Sequence, residues 1–216
     1  MDKNILKNKI EKLINHYKAG NFIHVIKEGQ IVIKKIPNNI FLTNLIAMSH
    51  QAIGNFKLAI SGYYHIIGLD NQNKEAYNNL GTVFKSTNDL NESKKNFIKA
   101  LDIDPNFVDA LTNLGNLYFE LNDYENSINY LTKSLKINNK NALAHYNIGL
   151  VYQSIGEHKK SISHLRKVLE LNPANTNADK LISRMTSYKE KDEHIAEMEE
   201  KLDKLKLNDF QKIPLY

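Results

Sequence analysis

The stretch Tyr77-Asn78-Asn79-Leu80-Gly81 opens a pattern that recurs along this chain. It returns 34 residues later as Leu111-Thr112-Asn113-Leu114-Gly115, and after a further 34 residues as His145-Tyr146-Asn147-Ile148-Gly149. An aromatic residue follows each of the three glycines by three positions: Phe84, Tyr118 and Tyr152. A fixed period of this length is typical of repeat proteins, in which each unit is one supersecondary element that packs on its neighbours.

The remainder of the period repeats in the same frame. A small residue and then a bulky apolar residue follow the aromatic one in each unit: Ser93 and Phe97, Ser127 and Leu131, Ser161 and Leu165. Proline ends two of the units, at Pro105 and Pro173, and Asn139 takes the equivalent place between them. Extending the frame backwards divides residues 1–175 into five predicted repeats: 6–39, 40–73, 74–107, 108–141 and 142–175.

Each unit has the pattern of two amphipathic helices. In the third unit, Tyr77, Leu80, Gly81 and Phe84 follow spacings of three and four, which places them on one face of a helix. A glycine inside a helix costs about 1 kcal/mol relative to alanine, so Gly81 predicts a close approach of the partner helix. The turns between the paired helices contain residues that tolerate the left-handed conformation: Gly20, Gly54, Asn88, Asn122 and Gly156.

This pattern resembles the tetratricopeptide repeat, a 34-residue unit with an aromatic residue, Leu-Gly, Tyr, Ala, Phe and Pro at fixed positions. The resemblance covers residues 6–175. The sequence departs from the signature in having no Trp, in carrying serine at three small positions, and in placing Gly29 where a bulky residue is usual. The resemblance implies an all-α fold, a right-handed superhelical solenoid of antiparallel helix pairs, with the first helices of the pairs lining a concave groove.

Residues 176–216 are predicted to form a C-terminal capping helix and a tail. We expect one polar helix from about Asn177 to Leu205, and three of its residues are placed to cover the fifth repeat: Leu181, Ile182 and Met185. Four others have coiled-coil spacing, which leaves a dimer seam as the alternative to a solvated cap: Ile195, Met198, Leu202 and Leu205. Lys212–Tyr216 looks like the opening of a further repeat.

Composition and charge exclude several function classes. The 216 residues contain no cysteine, which removes disulfide scaffolds and thiolate sites and fits a reducing compartment. No apolar run is long enough to span a bilayer, and the N-terminus lacks a signal peptide's apolar segment, so we expect a cytoplasmic protein with no membrane partner. The net charge of +5 comes from residues 1–39, which carry 8 basic and 3 acidic side chains. Nucleic-acid-binding proteins usually carry their basic residues as a continuous, arginine-rich stripe. The surplus in this chain does not have that form, so we expect no nucleic-acid partner.

No catalytic or cofactor motif is present. The sequence lacks the glycine-rich phosphate and dinucleotide loops, the H-E-x-x-H metalloprotease motif and the G-x-S-x-G nucleophile motif. Its eight histidines are scattered, and His158 and His164 point to nearly opposite sides of a helix. We therefore predict a binding protein that is not an enzyme, with no catalytic residue, no cofactor and no metal site.

Three asparagines at equivalent repeat positions are candidates for peptide binding: Asn79, Asn113 and Asn147. An amide offers both a donor and an acceptor, so a ladder of asparagines could hold the backbone of an extended peptide without reading its sequence. The pattern is similar to the repeat region of protein O-linked sugar transferases, and that resemblance implies the same role for these residues. The alternative is that each asparagine contacts the next repeat or water.

A second candidate feature is an aromatic and apolar cluster between the first helices of the fourth and fifth repeats. Six side chains are expected to form the wall of a peptide anchor pocket, three on each helix: Asn116, Phe119 and Glu120, facing Leu143, Tyr146 and Leu150. The alternative is that the capping helix or a second copy of the chain covers these side chains.

The sequence thus favours a scaffold that binds an extended peptide or a partner protein in the groove. A second hypothesis makes the chain the substrate-presenting arm of a larger sulfotransferase or glycosyltransferase, truncated at residue 216. It rests on Lys191–Tyr216 and Leu13–Phe22, which look like parts of bacterial proteins in which tetratricopeptide repeats precede a sulfotransferase domain. A third hypothesis is self-association into a homo-oligomer.

Overall fold

A computed structural model describes residues 3–186, 193–208 and 211 of the chain. These residues form twelve α-helices and no β-strand, as predicted for an all-α repeat fold. The helices are α1 (Lys3–Lys18), α2 (Phe22–Ile33), α3 (Ile40–Ala52), α4 (Phe56–Leu69), α5 (Lys74–Ser86), α6 (Leu90–Ile103), α7 (Val108–Glu120), α8 (Tyr124–Ile137), α9 (Ala142–Ser154), α10 (His158–Leu171), α11 (Thr176–Met185) and α12 (Glu193–Lys204). The chain divides into two compact units, Met1–Ala110 and Leu111–Tyr216.

Asparagine caps explain where several helices begin. The side-chain oxygens of four asparagines accept a hydrogen bond from the backbone N–H three residues later, at the starts of α3, α5, α9 and α11: Asn39, Asn73, Asn141 and Asn175. Such a cap satisfies one of the free N–H groups of the first turn and contributes about 1 kcal/mol. The caps follow the 34-residue period, so the repeat frame also fixes the helix boundaries.

The short turns adopt the predicted left-handed conformation. Gly20, Gly54 and Gly156 have φ angles of +77°, +78° and +78°. Asn88 and Asn122 take the equivalent places with φ angles of 63° and 58°, and they are the positive-φ residues other than glycine in the part of the chain that the structure describes. Asparagine tolerates this conformation better than most residues, which explains the exchange of Gly for Asn.

In the first unit, α5 and α6 pack in close contact through Gly81. A Cβ atom at this position would lie 2.5 Å from Cδ1 of Phe97, a fully buried ring. The hydroxyl of Ser93 donates to the Gly81 carbonyl oxygen across 2.8 Å and ties the helices together at the same point. The predicted close approach at this glycine is confirmed.

The second unit repeats this arrangement between α9 and α10. A Cβ at Gly149 would lie 3.0 Å from Cδ2 and Cγ of Leu165, and Ser161 donates to the Gly149 carbonyl oxygen across 2.7 Å. Next to this contact, Leu165 forms a core cluster with residues of α10 and α11: Val168, Ala178, Leu181 and Ile182. Leu181 and Ile182 therefore cover the end of the repeats, as predicted.

The prediction of one continuous helix from Asn177 to Leu205 is wrong. α11 ends at Met185, and Thr186 is extended, with φ −108° and ψ 131°. The reason is a contact with α12: Lys201 Nζ lies 2.7 Å from an oxygen of Asp179, 22 residues earlier. In an unbroken helix these residues would be about 33 Å apart at a rise of 1.5 Å per residue, so the helix has to break.

A buried carboxylate holds α12 against α11. Asp179 is fully buried; His194 Nε2 lies 3.2 Å from its Oδ1, and Lys201 Nζ contacts both oxygens at 2.7 and 2.9 Å. Ser183 also donates to the sulfur of Met198 at 3.6 Å, so one predicted dimer-seam residue faces its own chain. The predicted repeat start at Lys212–Tyr216 lies outside the described residues.

Candidate functional site

The three asparagines of the predicted ladder differ in their surroundings. Asn79 is half-buried on α5, and its Nδ2 donates to Oδ1 of Asn44 on α3 at 3.2 Å. Its amide N–H₂ group thus donates to a helix of the preceding repeat, whereas the alternative interpretation named the next repeat or water. Asn113 is half-buried on α7. Since Asn79 belongs to the first compact unit and the other two to the second, the ladder itself stays a prediction.

Asn147 is the most deeply buried of the three. Its side chain on α9 is 4% exposed, and Nδ2 has no hydrogen-bond partner within the described part of the chain. An amide donor that is buried without a partner costs about 1–3 kcal/mol, because its hydration is lost and nothing replaces it. Asn147 therefore carries an unused donor at the repeat position where Asn79 has a partner.

An exposed apolar side chain lies one turn before Asn147 on the same helix. Leu143 is 55% exposed, although leucine is a residue type that usually packs inside. Residues four positions apart lie on the same face of a helix, so Leu143 and Asn147 share one face of α9. That face combines an apolar contact with a hydrogen-bond donor. Leu143 is also one of the residues predicted from the sequence to form the wall of the anchor pocket.

The predicted anchor cluster is divided between two core clusters of the second unit. Phe119 packs against one of them, which is formed by Leu131, Ala144, Ile148 and Val151. Tyr146 and Leu150 pack against the other, which contains Leu165 and residues of α11. Burial raises the pKa of the Tyr146 hydroxyl, as expected for a phenol removed from water. Asn116 is half-buried on α7.

Two open grooves on the first unit lie away from the predicted binding residues. One has a volume of about 540 Å³ and runs past His16, Phe22 and Lys27. The other has a volume of about 580 Å³ and lies against α6, beside Tyr77 and a set of lysines: Lys94, Lys95 and Lys99. Asn79 lines neither of these grooves.

Two histidines that are distant in sequence are adjacent in the fold. The Nδ1 atoms of His145 on α9 and His164 on α10 are 3.0 Å apart. In the sequence, 19 residues and a turn separate these two histidines, so the pair is not recognisable from the pattern alone. Among the residues that the structure describes, no group of three or more His, Cys, Asp or Glu side chains is arranged to hold a metal ion.

Within the same described ranges, no helix is both long enough and apolar enough to cross a membrane. The described helices are short and follow one another in antiparallel pairs, as in a helical repeat protein. A family model described as TPR repeat matches residues 81–121 and 115–156, and a model described as tetratricopeptide repeat matches residues 142–175. Residues 81–175 of the chain therefore consist of tetratricopeptide repeats.

Solved structures show the same fold. The crystal structure of MamA is 23% identical to this chain, with a TM-score of 0.62, and the match covers 76% of this chain and 95% of that one. PilF of Pseudomonas aeruginosa is 15% identical, with a TM-score of 0.77 and coverage of 96% and 95%. YrrB, described as a TPR protein with an unusual peptide-binding site, is 19% identical, with a TM-score of 0.58 and coverage of 86% and 95%. No curated protein matches the chain by sequence.

Proposed function

We propose that this protein is a non-catalytic interaction scaffold of five tetratricopeptide repeats, 6–39 to 142–175, and that it binds an extended peptide segment on α9, the first helix of the fifth repeat. The buried, unpartnered Nδ2 of Asn147 is the observation that carries the proposal. Similarity to YrrB and MamA extends to the fold alone at these identities, so the support for a peptide site comes from this chain's own residues.

A peptide carbonyl oxygen would satisfy the unused donor of Asn147 once this side chain turns out of its buried position. The donor costs the free protein about 1–3 kcal/mol, and a ligand that accepts from it recovers that cost on binding. A backbone carbonyl is the acceptor that every peptide offers, which suits a surface that selects extended chains more than particular sequences. Asn79 differs in this respect, because its amide already donates to Asn44.

Leu143 gives the same surface an apolar contact. At 55% exposure it leaves an apolar side chain in water, and its burial by a ligand side chain contributes to affinity at roughly 25 cal/mol per Å². We therefore infer a ligand segment that places an apolar side chain against Leu143 and a backbone carbonyl near Asn147, about one helical turn apart.

The test is a binding series with peptides selected from a random library on the full chain. Asn147→Ala is expected to weaken binding about tenfold, which corresponds to 1.4 kcal/mol, and Asn79→Ala to weaken it less. Asn126→Ala is the matched control, because the Asn126 side chain lies on α8 and donates locally to Asp123. Fluorescence anisotropy gives the dissociation constants.

Equal affinity of the Asn147→Ala variant and the wild type would refute the proposed site while leaving a scaffold function elsewhere on the surface. Failure to select any peptide would count against the function itself. The alternative, a substrate-presenting arm of a transferase, stays a prediction that the coding sequence after Tyr216 can test.

A further inference from the structure

The paired histidines His145 and His164 form a site of their own in the second unit. Their rings lie at 5.2 Å between centroids, inclined by 42°, with the two Nδ1 atoms 3.0 Å apart. Both side chains are half-buried. Two neutral imidazoles can share one proton at this distance, or their two lone pairs can bind one cation.

The surroundings direct the Nδ1 atom of His145 toward its partner. Its Nε2 lies 3.2 Å from the backbone carbonyl oxygen of Asn139. A carbonyl only accepts, so in the neutral imidazole this contact places the proton on Nε2 and the lone pair on Nδ1. Histidines that bind metals almost always donate their other N–H to a carbonyl or carboxylate in this manner.

The environment of His164 favours its neutral form. Burial lowers the pKa of this imidazole, and the neighbouring His145 lowers it further. Its ring also packs near Tyr152, at 5.8 Å between centroids and 35° between planes, which limits its rotation. A neutral imidazole held in place is the form of histidine that binds metal ions.

We propose that Nδ1 of His145 and Nδ1 of His164 together bind one late first-row divalent transition-metal ion, with water in the remaining positions. At a metal–nitrogen distance of about 2.0 Å, two nitrogens 3.0 Å apart subtend about 97° at the metal. This angle is closer to the right angle between adjacent ligands of a tetragonal site than to the tetrahedral angle.

The geometry therefore selects Cu(II) or Ni(II) over Zn(II), since the first two ions favour tetragonal arrangements of nitrogen and oxygen ligands. Cu(II) is also the ion that a given nitrogen site binds most tightly in the Irving–Williams order. Because the site contributes two protein ligands, the affinity is set by the pair acting together, and losing either imidazole removes the chelate.

The experiment titrates Cu(II), supplied as its weak glycine complex, into the full chain by isothermal calorimetry. All proteins carry His24→Gln, because the rings of His16 and His24 lie only 4.0 Å apart and could bind the same ion. The wild-type pair is expected to bind one Cu(II) per chain. His145→Gln and His164→Gln are each expected to weaken binding at least about tenfold.

His158→Gln is the matched control. His158 is exposed and begins the same helix as His164, so its loss removes an imidazole without touching the pair. Its affinity for Cu(II) is expected to equal that of the wild-type pair. Equal affinity of all four proteins would overturn the proposal and indicate adventitious surface binding.

A measurement without substitutions at the pair guards against misfolded variants. In NMR spectra of the His24→Gln protein, small amounts of Cu(II) should broaden the imidazole signals of His145 and His164 before those of the other histidines. Uniform broadening of all imidazole signals would refute the site, whatever the fold of the variants.

Discussion

Replacing Gly81 with alanine sets two opposed effects against each other. Alanine is favoured over glycine inside a helix by about 1 kcal/mol, so in an open position the substitution would stabilise the protein. At Gly81 the new Cβ would lie 2.5 Å from both Cδ1 and Cε1 of Phe97. Carbon atoms in contact prefer about 3.5–4.0 Å, so the helices or the ring must move by about 1 Å.

The clash is expected to exceed the gain in helix propensity. Phe97 is fully buried, so its ring has no free space to enter, and overpacking of this kind costs about 1–3 kcal/mol. A shift of α5 from α6 would also lengthen the 2.8 Å hydrogen bond from Ser93 to the Gly81 carbonyl, which contributes about 1 kcal/mol. We expect Gly81→Ala to lower the free energy of unfolding by about 2 kcal/mol.

Two other glycines serve as comparisons, because an added Cβ would meet less steric overlap there. Gly149→Ala brings its Cβ to 3.0 Å from a leucine side chain, which can move by a few tenths of an ångström, so we expect a loss of about 0–1 kcal/mol. Gly68→Ala, in the last turn of α4, meets nothing within 4 Å and should stabilise by about 0.5 kcal/mol.

Urea denaturation followed by circular dichroism measures all three variants, with the midpoints compared only where the m-values agree. The melting temperature of Gly81→Ala should fall by roughly 4–8 °C, at about 2–4 °C per kcal/mol for a chain of this size. If Gly81→Ala proves as stable as the wild type while Gly68→Ala stabilises, the packing argument is refuted.

Three further predictions concern the second unit. Asp179→Ala removes the buried carboxylate that His194 and Lys201 contact and should lower the free energy of unfolding by about 3 kcal/mol. Hydrogen exchange should show that the amides of α12 lose protection, and unchanged protection there would contradict the role of Asp179. Asn141→Ala removes a helix cap and a donor to two buried hydroxyl groups, so urea denaturation should show a loss of about 1–2 kcal/mol, whereas a neutral effect would show that water replaces the amide. Folding lowers the pKa of His164 below its ordinary value of 6.5, so the free energy of unfolding should fall as the pH drops from above 6.5 toward the pKa of the folded state. His164→Gln should reduce this loss of stability between pH 7 and 5. An unchanged pH profile of stability in the variant would contradict this prediction.

The repeat frame was accessible from the sequence because its signals are local. Spacings of three and four, a glycine at a close helix contact and a left-handed turn at Asn88 are each set by a few neighbouring residues. The break at Thr186 was not accessible, since the surrounding residues are polar and compatible with a helix. The cause lies in the attraction between Asp179 and Lys201, which are 22 residues apart.

The candidate site was predictable only as a repeat position. Asn79 and Asn147 occupy the same place in the period, yet one donates to Asn44 and the other is buried without a partner. The difference depends on Asn44, a residue outside the repeat signature. Side chains that vary from repeat to repeat thus decide which signature residues are available for a ligand. A single sequence does not show which of these side chains contact each other in the fold.

Both the repeat period of the sequence and the contacts of the structure are needed to recognise the histidine pair. His145 and His164 occupy two repeat positions, and the equivalent pairs in the three preceding units are Thr43 with Gly62, Tyr77 with Asn96, and Leu111 with Tyr130. The fifth unit alone has a titratable, metal-binding side chain at both positions. The 34-residue period shows which positions are equivalent, and the structure shows that the two Nδ1 atoms lie 3.0 Å apart. If the Cu(II) titration succeeds, histidines placed at the same two positions of the third unit, through Tyr77→His and Asn96→His, should create a second site on the same scaffold, and an unchanged stoichiometry would show that the repeat frame does not carry the geometry.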